Sequence, residues 1–247
     1  YLNKQKKSLL VKPMKYGVIS GVKKIRSTII FDLGKIFNIG EKKLINICAA
    51  VECIHSYSLI HDDLPCMDND ELRRGKPTVH IAFDEATAML VGDALQPLAF
   101  NILANQQTKL EHEVRLKQVR VLSESIGSIG MVGGQAIDLS QVGMSMTLSQ
   151  LELMHAKKTG ALFLASAELG ALCGTGYTDS CEEPLRNYVR QIGFGFQVVD
   201  DILDSSSSTE TLGKTAAKDI RDNKPTYVTL FGLDRAKEMA SEIEENT

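Results

Sequence analysis

The chain of 247 residues contains no tryptophan, and aromatic residues make up only 6% of it. Alternating β-branched runs bounded by tight turns are also missing, so nothing in the pattern points to a sandwich or a barrel. No C-x-x-C pair occurs among the five cysteines, Cys48, Cys53, Cys66, Cys173 and Cys181, and their number is odd. Such cysteines read as reduced thiols packed as small hydrophobes, which points to a reducing compartment. The five histidines, His55, His61, His80, His112 and His155, are scattered and form no zinc-type set with the cysteines. A net charge of −3 carries no nucleic-acid footprint. No apolar run reaches the roughly 18 residues needed to span a bilayer. The basic start, Tyr1 to Lys7, is followed by no apolar core of the kind a signal peptide needs.

What is present is helical periodicity. Hydrophobic residues are 43% and charged residues 24%, ordinary for a globular chain, and the length suits one sizeable domain. Leu44 to His61 places apolar residues three and four apart. Ala86 to Leu103 is apolar almost all round and reads as a buried central helix. Val119 to Leu139 is rich in Gly, Ser and Ala, which allows close helix contact. Leu148 to Leu172 and Pro184 to Leu203 are further long helices, with Pro184 suited to a first turn. Breaks fall near Gly40, Gly75-Lys76-Pro77, Gly143 to Thr147, Gly174 and Ser205 to Gly213. The expectation is a single all-α domain, residues 1–247, of many long helices.

Two aspartate clusters lie far apart in the chain, Asp62-Asp63-Leu64-Pro65-Cys66-Met67-Asp68 and Asp200-Asp201-Ile202-Leu203-Asp204. Each ends an apolar, helix-like segment. Crowded carboxylates pushed toward burial repel and desolvate badly unless cations neutralise them. In the second cluster Gln197, Asp200, Asp201 and Asp204 fit one helical stripe. In the first, Asp62 and Asp68 are about 120° apart on an ideal helix. Pro65 disfavours continuation, and a bend there brings Asp68 back toward Asp62. Oxygen-only donors suit Mg²⁺, which commonly bridges one or two carboxylates to substrate phosphates.

Cations accompany both clusters. Leu72-Arg73-Arg74-Gly75 follows the first, and Gly213-Lys214 and Lys224 follow the second. Gly21-Val22-Lys23-Lys24-Ile25-Arg26 lies near the start and Lys157-Lys158-Thr159-Gly160 in mid-chain. Arginine forks match phosphate oxygens.

These motifs resemble the trans-isoprenyl diphosphate synthases, the farnesyl and geranylgeranyl diphosphate synthase family, and most closely its bacterial and plastid-type short-chain group. Glu52 to Gly75 is similar to the family's first aspartate-rich motif and Gly193 to Asp204 to its second. Gly133-Gly134-Gln135-Ala136-Ile137-Asp138 and Lys158-Thr159-Gly160 match in order. The likeness runs from about Met14 to about Leu233, in a chain that looks short at both ends beside the family. Two departures stand out: Gly21-Val22-Lys23 replaces Gly-Gly-Lys, and Ser27 replaces a proline.

The resemblance implies an all-α isoprenoid synthase fold around a deep central cavity, usually as a homodimer. It implies head-to-tail 1'-4 condensation of isopentenyl diphosphate with an allylic diphosphate, and no nucleic-acid partner. Asp62, Asp63, Asp68, Asp200, Asp201 and Asp204 would hold three Mg²⁺ ions, with Mn²⁺ as the alternative. Arg73, Lys158 and Lys214 would bind the allylic diphosphate. Lys23, Arg26, His55 and Arg74 would bind isopentenyl diphosphate, with Lys224 at the rim. Thr159 and Gln197 would face the reacting carbons. Tyr57 and Ser58, beneath the first motif, would set product length, and a bulky aromatic at Tyr57 implies a C15 product. The alternatives are C10 or C20 synthases, a non-catalytic regulatory subunit of a heteromeric synthase, and a terpene cyclase. The implied location is the cytoplasm, or a plastid if a transit peptide has been removed.

Overall fold

The structure, a computed structural model, describes residues 1–5, 8–19, 24–106, 110–174, 176–206 and 225–246. A 3-10 turn at Leu2–Gln5 precedes α1 (Val11–Ile19), α2 (Ile25–Ile36) and α3 (Glu41–Asp62). A hairpin of two-residue strands, β1 (Leu72–Arg73) and β2 (Lys76–Pro77), leads to α4 (Val79–Ala82) and α5 (Glu85–Ala104). Then come α6 (His112–Ile126), α7 (Met131–Ser140), α8 (Leu148–His155), α9 (Ala161–Ala171) and α10 (Asp179–Ser206). Two last helices follow, α11 (Tyr227–Phe231) and α12 (Leu233–Asn246). The all-α expectation holds among the described residues. The chain groups into two compact units: Tyr1–Arg120 with Glu168–Gly176, and Val121–Ala167 with Tyr177–Thr247.

In the first unit α3 packs against α2 and α5. Leu44, Ile47, Val51 and Ile54 form its buried stripe, and Ala88, Val91, Leu95, Ala99 and Ile102 form that of α5. Asp84 starts α5 by accepting from the Thr87 N–H at 2.6 Å and its hydroxyl at 2.8 Å, an N-cap worth about 1 kcal/mol. The expectation of an α5 buried all round is corrected, because Met89 and Leu90 are 41% and 52% exposed. An all-apolar helix is buried all round only where every face has a partner. The helices α3 and α5, of 22 and 20 residues, also meet the length and mean hydropathy (1.2 and 1.3) of a membrane span. A search for uninterrupted apolar runs passes over them because charged and polar residues punctuate both.

In the second unit the predicted helix over 119–139 breaks. Helix α6 ends at Ile126 and α7 starts at Met131, with Gly127 and Gly130 between them. The predicted helix over 148–172 is instead α8, a π-helical turn at Ala156–Gly160, and α9. Such one-turn insertions re-aim side chains and concentrate at functional sites. A capping box between Thr147 and Gln150 begins α8. Helix α10 starts five residues before Pro184, at Asp179, so the proline sits inside the helix rather than in its first turn.

The core of this unit is Met146, Leu151, Met154, Val198 and Tyr227, with Phe194, Ile202, Met239 and Ile243 packed on it. Tyr227 is fully buried, stacked on His155 at 5.5 Å and met edge-on by Phe194. Neither His155 Nε2 nor the Tyr227 hydroxyl has a hydrogen-bond partner among the described residues. Burial lowers the His155 pKa to about 4; Asp138 opposes that shift and Lys158 adds to it. An unfolded histidine titrates near 6.5. As pH falls from about 6.5 toward 4, the unfolded chain gains a proton that the folded chain refuses, so stability drops by up to about 3 kcal/mol. His155→Phe keeps the stack and is expected to flatten that part of the acid limb in urea unfolding followed against pH. An unchanged limb would contradict the assignment.

Candidate active site

The first cluster begins where α3 ends. Asp63 is the last αR residue, and the chain then wraps round Pro65. The Asp68 N–H donates to the Asp62 carbonyl at 2.8 Å, and the Asp70 N–H donates to that of Asp63 at 3.2 Å. The bend expected at Pro65 is therefore present. Asn69 closes it in the left-handed region, at φ 51°, which asparagine tolerates better than most residues.

The hairpin that follows pairs Leu72 with Pro77 and Arg73 with Lys76. Its two central residues, Arg74 and Gly75, both have positive φ, 54° and 72°. That is the turn whose twist suits a two-residue hairpin. Glycine takes this backbone without strain, whereas Arg74 takes it at a cost. The hairpin delivers Arg73 onto Asp63. Nε donates to Oδ1 and Oδ2 at 2.8 and 3.0 Å, and Nη2 donates to Oδ1 at 2.6 Å. Asp70 lies 3.7 Å from the same guanidinium. Burial pushes the Asp63 carboxyl up to about 6 against the pull of Arg73. Burial also works against the Arg73 charge, but Asp63, Asp70 and Asp62 outweigh it and raise its pKa. Both oxygens of Asp63 are thus committed to Arg73, whereas Asp62 and Asp68 are half-buried.

Beside this lies a cationic group. Burial holds the His55 imidazole well below its usual pKa, and Arg26, Arg74, Arg73 and Lys24 add to the effect. His55 is therefore neutral, in a field set by cations. Burial also lowers Arg26 to about 10, with Glu52 opposing and Arg74 reinforcing the shift. Glu52 accepts the Ser27 hydroxyl at 2.7 Å and lies 3.6 Å from Lys24. It anchors the start of α2, and sequence reasoning assigned it no role. The signal was its position one turn before His55. Tyr57 is 5% exposed and sits edge-on to His61 at 5.8 Å. Burial, then the Asp62 charge, push its hydroxyl up to about 12. The Ser58 hydroxyl donates to the His55 carbonyl at 2.9 Å.

The second unit carries the other cluster on α10. Asp201 and Asp204 are buried and Asp200 is half-buried. Gln197 Nε2 donates to Asp201 Oδ1 at 2.9 Å, one helical turn on, and the Tyr227 N–H donates to Asp201 Oδ2 at 2.9 Å. From the π turn, the Thr159 hydroxyl donates to Gln197 Oε1 at 3.2 Å. Lys158 Nζ, in the same turn, donates to Asp138 Oδ2 at 2.6 Å. A β-carbon on Gly134 would collide with the backbone N and Cα of Lys158, so α7 presses directly on this turn. Both amide atoms of Gln135 are buried without a partner among the described residues. Asp138 and Gln135 belong to the Gly133 to Asp138 motif, but nothing local to the sequence shows that Asp138 meets Lys158.

Lys23, Lys214 and Lys224 lie outside the described residues. A groove of about 320 Å³ lined by Gln191, Gly195, Phe196, Val199 and Ile243 holds none of the expected site residues. No group of three or more His, Cys, Asp or Glu side chains is pre-assembled for a metal among the described residues. The carboxylates fit Mg²⁺ nonetheless. They are hard oxygen donors, and Mg²⁺ normally takes only one or two of them, with phosphates and water completing its shell.

A family model described as polyprenyl synthetase matches residues 7–247. The chain is 43% identical over 235 residues to a farnesyl diphosphate synthase of Haemophilus influenzae, covering 95% of this chain and 79% of that protein. It is 44% identical over 238 residues to geranylgeranyl pyrophosphate synthase 4 of Arabidopsis thaliana, covering 95% and 63%. Among solved structures, a geranyltransferase from Helicobacter pylori, complexed with magnesium and isoprenyl diphosphate, superposes with a TM-score of 0.87 at 36% identity. That match covers 96% of this chain and 79% of the other.

The Gly134 contact makes a direct prediction. Gly134→Ala is expected to destabilise the fold by about 1–3 kcal/mol, because the obstacle is backbone and cannot rotate away. Urea unfolding measures this, and a variant as stable as the wild type would show that α7 does not hold the π turn.

Proposed function

Since the chain belongs to the polyprenyl synthetase family and is a trans-prenyltransferase, we propose that residues 1–247 act as one synthase domain that makes farnesyl diphosphate. The substrates are isopentenyl diphosphate and dimethylallyl or geranyl diphosphate. One observation carries the two-substrate reading. His55, ringed by cations, and Asp62 stand seven residues apart on α3, on the same face and about 10.5 Å apart along the axis. A single helix thus presents an anion receptor and, two turns on, a metal-type carboxylate. A terpene cyclase needs only the second.

Diphosphate leaves poorly until its charge is neutralised. Asp62, Asp68, Asp200 and Asp204 would hold Mg²⁺, read as three ions. When bound, these ions would supply Lewis acidity and charge neutralisation to the leaving diphosphate. Arg73, Lys158 and Lys214 add fixed positive charge to the allylic diphosphate. Asp63 serves by holding Arg73, which frees the metal role for its neighbours. Lys23, Arg26, His55 and Arg74 orient isopentenyl diphosphate, with Lys224 at the rim. Neutral His55 can donate a hydrogen bond there without adding to the repulsion between the arginines. Departure of diphosphate leaves an allylic cation, which must be kept from water and met by the isopentenyl double bond. Loss of a proton, to the released diphosphate, completes the product. By the same resemblance the enzyme is a homodimer. The five free thiols favour a reducing, cytoplasmic setting.

The assay uses Mg²⁺, isopentenyl diphosphate and each of the C5, C10 and C15 allylic diphosphates, with chromatography of product length. C15 is expected from the C5 and C10 primers, without extension of the C15 primer. A C20 product would favour the geranylgeranyl reading, and no condensation with any primer would refute prenyl transfer. Removal of the buried Tyr57 ring in Tyr57→Ala should lengthen the product, and an unchanged product distribution would sink the role given to Tyr57.

A further inference from the structure

We propose that Asp201 is a positioning residue and not a metal ligand: it fixes the Gln197 amide so that its oxygen faces the reacting carbons. The proposal rests on the prenyl-transfer reading of this site. A carboxylate only accepts hydrogen bonds. Asp201 Oδ1 takes Gln197 Nε2 and Oδ2 takes the Tyr227 N–H, both at 2.9 Å. The NH₂ end of Gln197 is therefore bound to Asp201, and its carbonyl oxygen is turned the other way. There Oε1 accepts from the Thr159 hydroxyl at 3.2 Å, which occupies one of its two lone pairs.

The anchor itself is rigid. Asp201 is 4% exposed and Tyr227 is fully buried. Tyr227 is clamped by His155 and Phe194, and its backbone follows the Thr226–Thr229 capping box. Asp200, one residue earlier, points about 100° away around α10. The two adjacent carboxylates thus serve different directions.

Orientation matters because a developing carbocation is stabilised by a carbonyl dipole and repelled by N–H groups. Asp201→Asn supplies one acceptor and one NH₂. Its oxygen is drawn to the Tyr227 N–H, its NH₂ faces Gln197, and the Gln197 amide must flip. Expected is a fall in kcat on the order of a hundredfold, with little change in KM for either diphosphate or in the Mg²⁺ concentration for half-maximal rate. Gln197→Glu added to Asp201→Asn again places an oxygen toward Thr159 and should recover most of that loss. Gln197→Met alone should match Asp201→Asn, and combining the two should cost little more.

Calorimetry with Mg²⁺ and inorganic diphosphate gives a readout that is independent of turnover, and binding to Asp201→Asn should equal wild type. A raised Mg²⁺ requirement or lost diphosphate binding in that variant would overturn the proposal in favour of a metal ligand. Additive losses in the Met combination, or a folded double variant without recovery, would overturn it in favour of a packing role. Failure of wild-type condensation would strike the reaction assignment itself and is visible before any variant is made.

Discussion

Carboxylates buried next to one another are the constraint on which both units are organised. A desolvated aspartate is costly unless fixed donors meet it, and two side by side repel. In each cluster one buried carboxylate is held by named donors. Asp63 is forked by Arg73, and Asp201 is held between Gln197 and the Tyr227 backbone. An inner aspartate so engaged stabilises the bend or helix around it. Under the proposed reading, half-buried Asp62 and Asp68 in one unit and Asp200 in the other are carboxylates that would meet Mg²⁺. The repeated motif is thus two kinds of residue written with one letter.

The backbone departs from regularity where these engagements need it. Asp68 returns to Asp62 through a turn closed by Asn69 at positive φ. Arg74 accepts a left-handed backbone so that Arg73, one residue before it, can reach Asp63. A π turn lets Lys158 and Thr159 leave the helical track of α8 and reach Asp138 and Gln197. Each irregularity lies within a residue or two of a site residue, as expected where local rules give way to function.

Much of this was legible in the chain. Spacing of three and four located α3, a near-continuous apolar segment located α5, and Pro65 announced the bend at the first cluster. Helical spacing placed Gln197 and Asp201 on one stripe, but their hydrogen bond is a finding of the structure. The rest depends on distance in sequence. Asp138 and Lys158 are twenty residues apart, and no periodicity ties them. The π turn lies in close backbone contact with Gly134, a tertiary fact that local sequence does not show. Glu52 looked like one more polar residue on α3 until Ser27 and Lys24 came to it from α2 and its approach. Adjacent aspartates look equivalent in sequence, because only their partners tell an anchor from a ligand.

The cationic group around His55 follows the opposite logic from the aspartates. Its charges act on one another in a buried setting. Arg26 is pulled down to about 10 by burial, with Arg74 adding to the shift. Burial, reinforced by the same cations, holds His55 neutral. Glu52 opposes the shift of Arg26. On the proposed reading, a cationic group fixed by folding would leave little reorganisation for the moment diphosphate binds. On the same reading, α3 carries both His55 and Asp62 on one face and would act as a rigid ruler between an anion site and a metal-type carboxylate. A ruler of this kind is more exact than a loop, because its spacing is set by the helix repeat and by the core residues Ile54 and Tyr57 that hold it in place.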